Sequence, residues 1–274
     1  MIIDAHAHAA GRYAAGDSIL ETAKKFEIDK ILLCTSPKNN RDLKAPPNVP
    51  FMKSPNSIFL LNRTLRLAYR AFKDGGDGNQ YVFALRDQIP GLLAPFLWVN
   101  PLDPQHMADL EKKICGYRPA GIKLHQAWDA FRIDGAEFRH LAEVARSQKL
   151  PVFIHLYSKV EAHKLLRFTE QNHEVIFIIG HMLGLEVFKE KRGELPNVYF
   201  DTSGSERVRP RDILEAIDLV GDDHVVFGTD NPYAGIEEQI RKIEALPLPG
   251  RVKEQIFGLN IRNLLSLRVS EPGA

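Results

Sequence analysis

The sequence predicts an α/β fold, a (β/α)8 barrel closed from parallel strands. Three observations carry that expectation. Short, near-continuous apolar runs recur along the chain, as strands buried on both faces require. Amphipathic helical stretches separate most of them, as crossover helices between parallel strands do. Eight runs suit a closed barrel, and the open doubly wound alternative lacks its Gly-rich phosphate loop after the first run.

The elements follow in order. Ile2–His6 is the first strand. Lys30–Thr35 is the second, after the amphipathic stretch Asp17–Glu27. Leu93–Val99 is the third. Gly121–His125 follows the helical Pro104–Cys115, and Pro151–Leu156 follows Gly135–Gln148. Val175–His181 comes after Lys159–Gln171, Asn197–Thr202 after Leu185–Lys191, and His224–Thr229 after Arg211–Val220. Two helical stretches, Ile236–Ala245 and Arg251–Leu267, close the chain. One segment breaks the rhythm. Ser36–Gly78 is too long for a βα loop: it opens proline-rich, continues as a predicted helix over Asn56–Phe72 and ends in DGGDG. Inserted after the second strand, it falls at the catalytic face of a barrel and reads as a lid or oligomerisation element. The expectation is one domain over residues 1–274 with 36–78 as its insertion.

Composition narrows the function classes. The 274 residues are 44% hydrophobic and 26% charged, an ordinary soluble balance. Lys plus Arg is 36 against 35 for Asp plus Glu, so no global field favours nucleic acid or an anionic membrane. No stretch reaches the roughly 18 apolar residues of a membrane span. Cys34 and Cys115 sit in unrelated contexts, which suits reduced thiols and a cytoplasmic protein.

The chemistry lies at the strand ends. His6 and His8 are two apart, so both imidazoles face one side of the first strand, into the barrel. Paired buried imidazoles each need a partner, which makes packing a poor explanation. His155 ends the fifth strand, His181 the sixth, and Asp230 the eighth. In a closed barrel all these ends meet at one mouth. Imidazole and carboxylate suit zinc, and also manganese, iron or nickel.

Whole motifs go further. IIDAHAH at Ile2–His8, GIKLH at Gly121–His125, FIHL at Phe153–Leu156, GHMLG at Gly180–Gly184, YFDTSG at Tyr199–Gly204, FGTDNPY at Phe227–Tyr233 and IFGLNIRNLL at Ile256–Leu265 stand in this order. Together they resemble the amidohydrolase superfamily, in the branch related to aminocarboxymuconate-semialdehyde decarboxylase. The resemblance implies one divalent metal ion, zinc with manganese as the alternative, held by His6, His8, His155 and Asp230. It implies that His181 orients or deprotonates a metal-activated water, with Asp230 as a further proton acceptor. A strand-four lysine is carbamylated in some members. Lys123 precedes His125 by two residues and sits one layer deeper, so a single metal with Lys123 as a buried cation near the ion or substrate is favoured over a bridged pair. His125 becomes a candidate acid–base or substrate-contact residue.

Arg12 is the candidate for a substrate carboxylate, with Arg207 and Arg209 as alternatives. Trp128 and Tyr157 follow strands four and five and are candidates for the pocket wall. Asp4 reads as structural, Asp201 and Ser203 as hydrogen-bonding supports. The functional expectation is a hydrolase acting on an ester, lactone or amide of a small molecule. The alternatives are a non-oxidative decarboxylase of an unsaturated or aromatic acid and a non-catalytic metal- or ligand-binding barrel. The expected partner is a small molecule, a carboxylate among the candidates, with no nucleic acid or membrane. A homodimer is the family-style expectation.

Overall fold

The computed structural model describes residues 1–36, 54, 55, 57–68, 78–204 and 207–266. Among the described residues eight parallel strands form the fold: β1 Ile2–His8, β2 Ile28–Cys34, β3 Phe96–Trp98, β4 Gly121–His125, β5 Val152–His155, β6 Phe177–Ile179, β7 Val198–Asp201 and β8 Val225–Val226. β1 pairs with β2, and β3 through β8 pair in chain order. Backbone hydrogen bonds join the two sheets at both seams. Between β2 and β3, Ile31 N donates to Leu92 O and Ala94 N to Ile31 O, both at 2.9 Å. Between β8 and β1, Ala5 N donates to Phe227 O (2.9 Å), Asp230 N to His6 O (2.7 Å) and His8 N to Asn231 O (2.9 Å). The strands thus follow one another around a ring, as the sequence predicts.

Strand alternation sorts the core into two layers. Leu97, Ile122, Leu124, Val152, Ile154, Phe177 and Ile179 face outward, buried under the helices. Leu32, Cys34, Phe96, Trp98, Phe153, Ile178 and Val226 fill the interior, with Ile261 and Leu264 joining them. On β4 and β5 this same alternation turns Lys123, His125 and His155 inward. Gly121 is needed where β4 meets β3, since a Cβ there would lie 2.6 Å from the Phe96 ring.

The helices are α1 Gly16–Phe26, α2 Ser57–Ala68, α3 Gly78–Gln88, α4 Pro104–Ala108, α5 Leu110–Tyr117, α6 Gln126–Asp129, α7 Ala136–Ser147, α8 Lys159–Gln171, α9 Leu185–Phe188, α10 Pro210–Val220, α11 Ile236–Glu244, α12 Gly250–Glu254 and α13 Asn260–Ser266. Local chemistry sets several ends. Asp103 accepts from Gln105 N at 2.8 Å ahead of Pro104, starting α4. Ser158 accepts from Glu161 N at the start of α8. α1 stops at Glu27, which takes a left-handed conformation.

Several expectations need correction. The strands are shorter than predicted at β3, β6 and β8. α3 was not expected; it fills much of the gap between the insertion and β3, burying Val82, Phe83 and Leu85. The expected 104–115 helix breaks at Asp109 into α4 and α5. The closing helix is interrupted by a π-helical turn, Gln255–Leu259. Of the insertion, α2 matches the predicted helix, while residues 37–53 and 69–77 lie outside the described residues. Among the described residues no helix is long and apolar enough to cross a membrane.

Candidate metal centre

The β1–β8 seam brings the side chains of His6, His8 and Asp230 together. Both imidazole Nε2 atoms lie 3.5 Å from Asp230 Oδ1. Each Nδ1 is committed elsewhere. That of His8 donates to Thr35 O at 2.8 Å. That of His6 lies 3.1 Å from Asp201 Oδ2 and 3.0 Å from Ser203 Oγ. An imidazole whose Nδ1–H is held this way presents its Nε2 lone pair inward, the usual preparation of a histidine ligand. His181 belongs to the same arrangement: its Nδ1 sits 3.3 Å from Ser203 O and its Nε2 3.8 Å from Asp230 Oδ2. It stands just past β6 in a turn with φ 56°, rather than at the end of an extended strand.

Asp201 is the brace behind this set. Its carboxylate accepts from His6 Nδ1, the Ser203 hydroxyl, and the backbone N–H groups of His181 and Ser203. Those bonds occupy it as a support, so the second grouping of His6, His181 and Asp201 is the outer shell of the first. Gly228 allows the close approach, because a Cβ there would meet Asp201 Oδ1 at 2.2 Å and His6 Cβ at 2.8 Å. Asp4 ties the seam below, accepting from Thr229 N (2.9 Å), Thr229 Oγ1 (2.6 Å) and Tyr13 OH (3.3 Å). Burial raises its pKa to about 7 against those hydrogen bonds.

The electrostatics favour positive charge beside Asp230. Burial opposes ionisation of this carboxyl, but His181, His6 and the hydrogen bond from His8 outweigh it and hold the pKa at about 2. Burial also opposes a charge on His8, yet Cys34 and Asp230 raise its pKa to about 10. Two nitrogen donors and a carboxylate, with their outer hydrogen bonds in place, fit a divalent cation. Lys123 is fully buried, with Nζ 2.8 Å from His6 Nε2 and 4.0 Å from the Phe153 ring centre. Burial lowers its pKa, while Cys34, Asp230 and Asp201 work to keep it charged.

The opposite side of the mouth differs. His155 Nε2 is 2.9 Å from Asn62 Oδ1, and Asn62 Nδ2 donates to Leu156 O at 2.8 Å. Asn62 comes from α2 and is completely buried. His155 therefore faces the same cavity but is held by the insertion helix instead of joining the His6–His8–Asp230 group. His125 stacks on His155 at 3.9 Å and on Trp98 at 5.7 Å, and its buried Nδ1 has no partner among the described residues. Burial, reinforced by the surrounding imidazoles and Lys123, holds both His125 and His155 well below the ordinary histidine range.

A cavity of about 100 Å3 joins the two sides. His6, His8, His125, His155, His181 and Asp230 line it with Trp128, Arg207 and Tyr233, and Ile58 and Leu61 of α2 roof it. That is room for several waters or a small organic acid. Trp128 is in the wall as expected. Tyr157 is not among the lining residues; it lies under Arg66, whose guanidinium is 3.6 Å from its ring centre. Arg12 is exposed and outside the cavity, and Arg209 pairs with Asp212 at 3.0 Å. The residues missed are Asn62, Ile58, Leu61 and Tyr233. Helical spacing puts 58, 61 and 62 on one face, so a polar residue on an apolar stripe was the available signal for Asn62.

Comparison with known proteins agrees with this fold. The amidohydrolase family profile matches residues 3–267, and the chain belongs to that family. No curated protein matches the chain by sequence. Among solved structures, it is similar to 5-carboxyvanillate decarboxylase LigW from Sphingomonas paucimobilis, with a TM-score of 0.68 and 14% identity over 96% of this chain and 98% of that one. It is similar to a dihydroxybenzoic acid decarboxylase from Polaromonas sp. JS666 with bound manganese and 2-nitroresorcinol (TM-score 0.67, 16% identity, 97% of each chain). It also resembles 4-oxalomesaconate hydratase from Rhodopseudomonas palustris (0.65, 16%, 98% and 96%). At these identities the likeness shows the fold.

Proposed function

We propose that the chain is a metal-dependent decarboxylase that releases carbon dioxide from a small unsaturated or aromatic acid without a redox cofactor. The observation that carries this is the inward-facing donor set of His6, His8 and Asp230 beside His181 in one small cavity. The decarboxylases among similar structures, one with manganese bound, support this choice over the hydrolase that the sequence favours.

His6, His8 and Asp230 are the proposed ligands of one divalent ion, joined by His155 when Asn62 gives up its Nε2. Manganese and zinc both suit such donors. A bound divalent ion supplies Lewis acidity, drawing charge from a substrate oxygen. The protein supplies the proton. Decarboxylation breaks the bond to the carboxyl carbon, leaves the electron pair on the substrate carbon and requires a proton there. Asp230 is ionised at neutral pH, and His125 and His155 stay neutral because burial disfavours their charge. His181 is the proposed donor on its position, with its Nε2 3.8 Å from Asp230 Oδ2 and Ser203 O holding its other nitrogen. The apolar roof of Ile58 and Leu61, with Trp128 in the wall, excludes water from the carbon that takes the proton.

The second reading is hydrolysis of an ester, lactone or amide. The His181–Asp230 pair favours it, since the same two groups can take a proton from water. One experiment separates them. The manganese-reconstituted protein is given carboxylated phenols and unsaturated acids beside esters, lactones and amides, with labelled carbon dioxide and acid release read in parallel. Carbon dioxide from an acid, without ester or amide cleavage, is expected. Cleavage of an ester, lactone or amide with no carbon dioxide from any acid would replace this reading with hydrolysis.

A further inference from the structure

Among the described residues that line the cavity, Arg207 is a guanidinium to which the proposed reaction gives no part. It is 9% exposed, and its buried Nε has no hydrogen-bond partner among the described residues. Leaving a buried guanidinium nitrogen unpaired is costly, and natural sites satisfy one with an anion. The local backbone sends it inward. Gly204 takes φ 123°, a Cβ there would crowd Val208 (3.1 Å) and His181 Nδ1 (3.3 Å), and Arg207 N then bonds Gly204 O at 3.0 Å. Val208 beside it is fully buried. Neighbouring arginines do not share this state, since Arg209 is paired with Asp212 and Arg12 is exposed.

We infer that Arg207 binds a second acid group of the substrate, one that stays on the product. The assignment to a second group rests on the decarboxylase reading. The carboxylate that leaves as carbon dioxide must give up its charge. A guanidinium clamped on it would stabilise the ground state more than the transition state and slow the reaction. An acid group that keeps its charge throughout costs nothing in this way, and a planar guanidinium fits a carboxylate in a two-point pair. The substrate class is therefore a small unsaturated or aromatic dicarboxylate. One end addresses the His6–His8–Asp230 group and the other addresses Arg207.

Titration calorimetry tests this in two arms. The first uses EDTA-treated protein with fumarate and benzoate, each against its neutral amide. Wild type is expected to prefer the acids by on the order of tenfold or more. Arg207→Gln and Arg207→Met are expected to lose that preference, and Arg207→Lys to keep part of it. The second arm adds manganese and compares fumarate with fumaramate: wild type favours the diacid, and Arg207→Gln does not. An acid preference that survives in Arg207→Gln and Arg207→Met, or none in wild type, overturns the anion site. Loss of the preference in the first arm together with no diacid advantage in the second overturns the second-acid assignment. The first arm needs neither metal nor turnover. A protein that shows no decarboxylation but an Arg207-dependent preference would remove the decarboxylase reading and leave the anion site standing.

Discussion

The two sides of the barrel mouth hold the same residue type in different states. At the β1–β8 seam, His6 and His8 direct Nε2 at a carboxylate, with each Nδ1 tied behind. At the β4–β5 side, His125 and His155 stack on each other, and among the described residues the only polar bond from their rings goes to Asn62 of α2. A histidine prepared to bind a cation is distinguished by what holds its second nitrogen and by the charge it faces. Position at a strand end does not make that distinction.

Three substitutions bear on the comparison. The largest effect is expected from Gly228→Ala, which forces Asp201 away from His6. Loss of such an outer-shell support is expected to weaken manganese or zinc binding on the order of 10- to 100-fold, read by competition with a chromophoric chelator. An unchanged affinity would show that the Asp201 brace does not prepare His6.

Asn62→Ala acts on the other side. It frees His155 Nε2 and removes the bond to Leu156 O. Metal affinity is expected to rise about two- to tenfold, while stability falls by about 1–3 kcal/mol because a buried carbonyl loses its partner. Chelator competition and urea denaturation read the two effects. A fall in affinity would mean that Asn62 orients His155 for the ion instead of withholding it.

The third effect is a pH slope, which leaves the metal affinity untouched. Burial, against a hydrogen bond from Trp98 Nε1, raises Asp129 to about 7 from its ordinary 3.8. Between those values the folded protein binds the proton more tightly than the unfolded chain, so this contribution is full below pH 3.8 and is lost as pH rises through 7. Asp129→Asn lacks it. The stability of wild type relative to Asp129→Asn is expected to fall between pH 4.5 and 7.5, by at most about 4 kcal/mol. A pH-independent difference in urea denaturation would contradict the buried acid behind Trp98 and His125.

The sequence made the barrel legible because strand periodicity and order are local signals. Apolar runs bounded by turns placed every strand, and the His-x-His spacing fixed which side of β1 faces inward. The FGTD and DTSG motifs brought Asp230, Asp201 and Ser203 into view. Contacts made across the barrel were not legible in that way. Nothing near His155 announces Asn62, which lies 93 positions away. The strand-end reading treats His6, His8 and His155 alike, because it contains no information on what arrives from the insertion. Arg12 illustrates the same limit, since a charge near a motif says nothing about whether the backbone turns it inward. Arg207 needed the Gly204 turn, a conformation rather than a residue type.

The account turns on a single cation gathered by the β1–β8 seam, and metal content measures that most directly. Plasma mass spectrometry of protein reconstituted with manganese or zinc is expected to give about one equivalent. The His6→Ala/His8→Ala double variant is expected to give none while keeping its fold by circular dichroism. Wild type without metal after reconstitution, or a double variant that retains the full equivalent, would contradict the account.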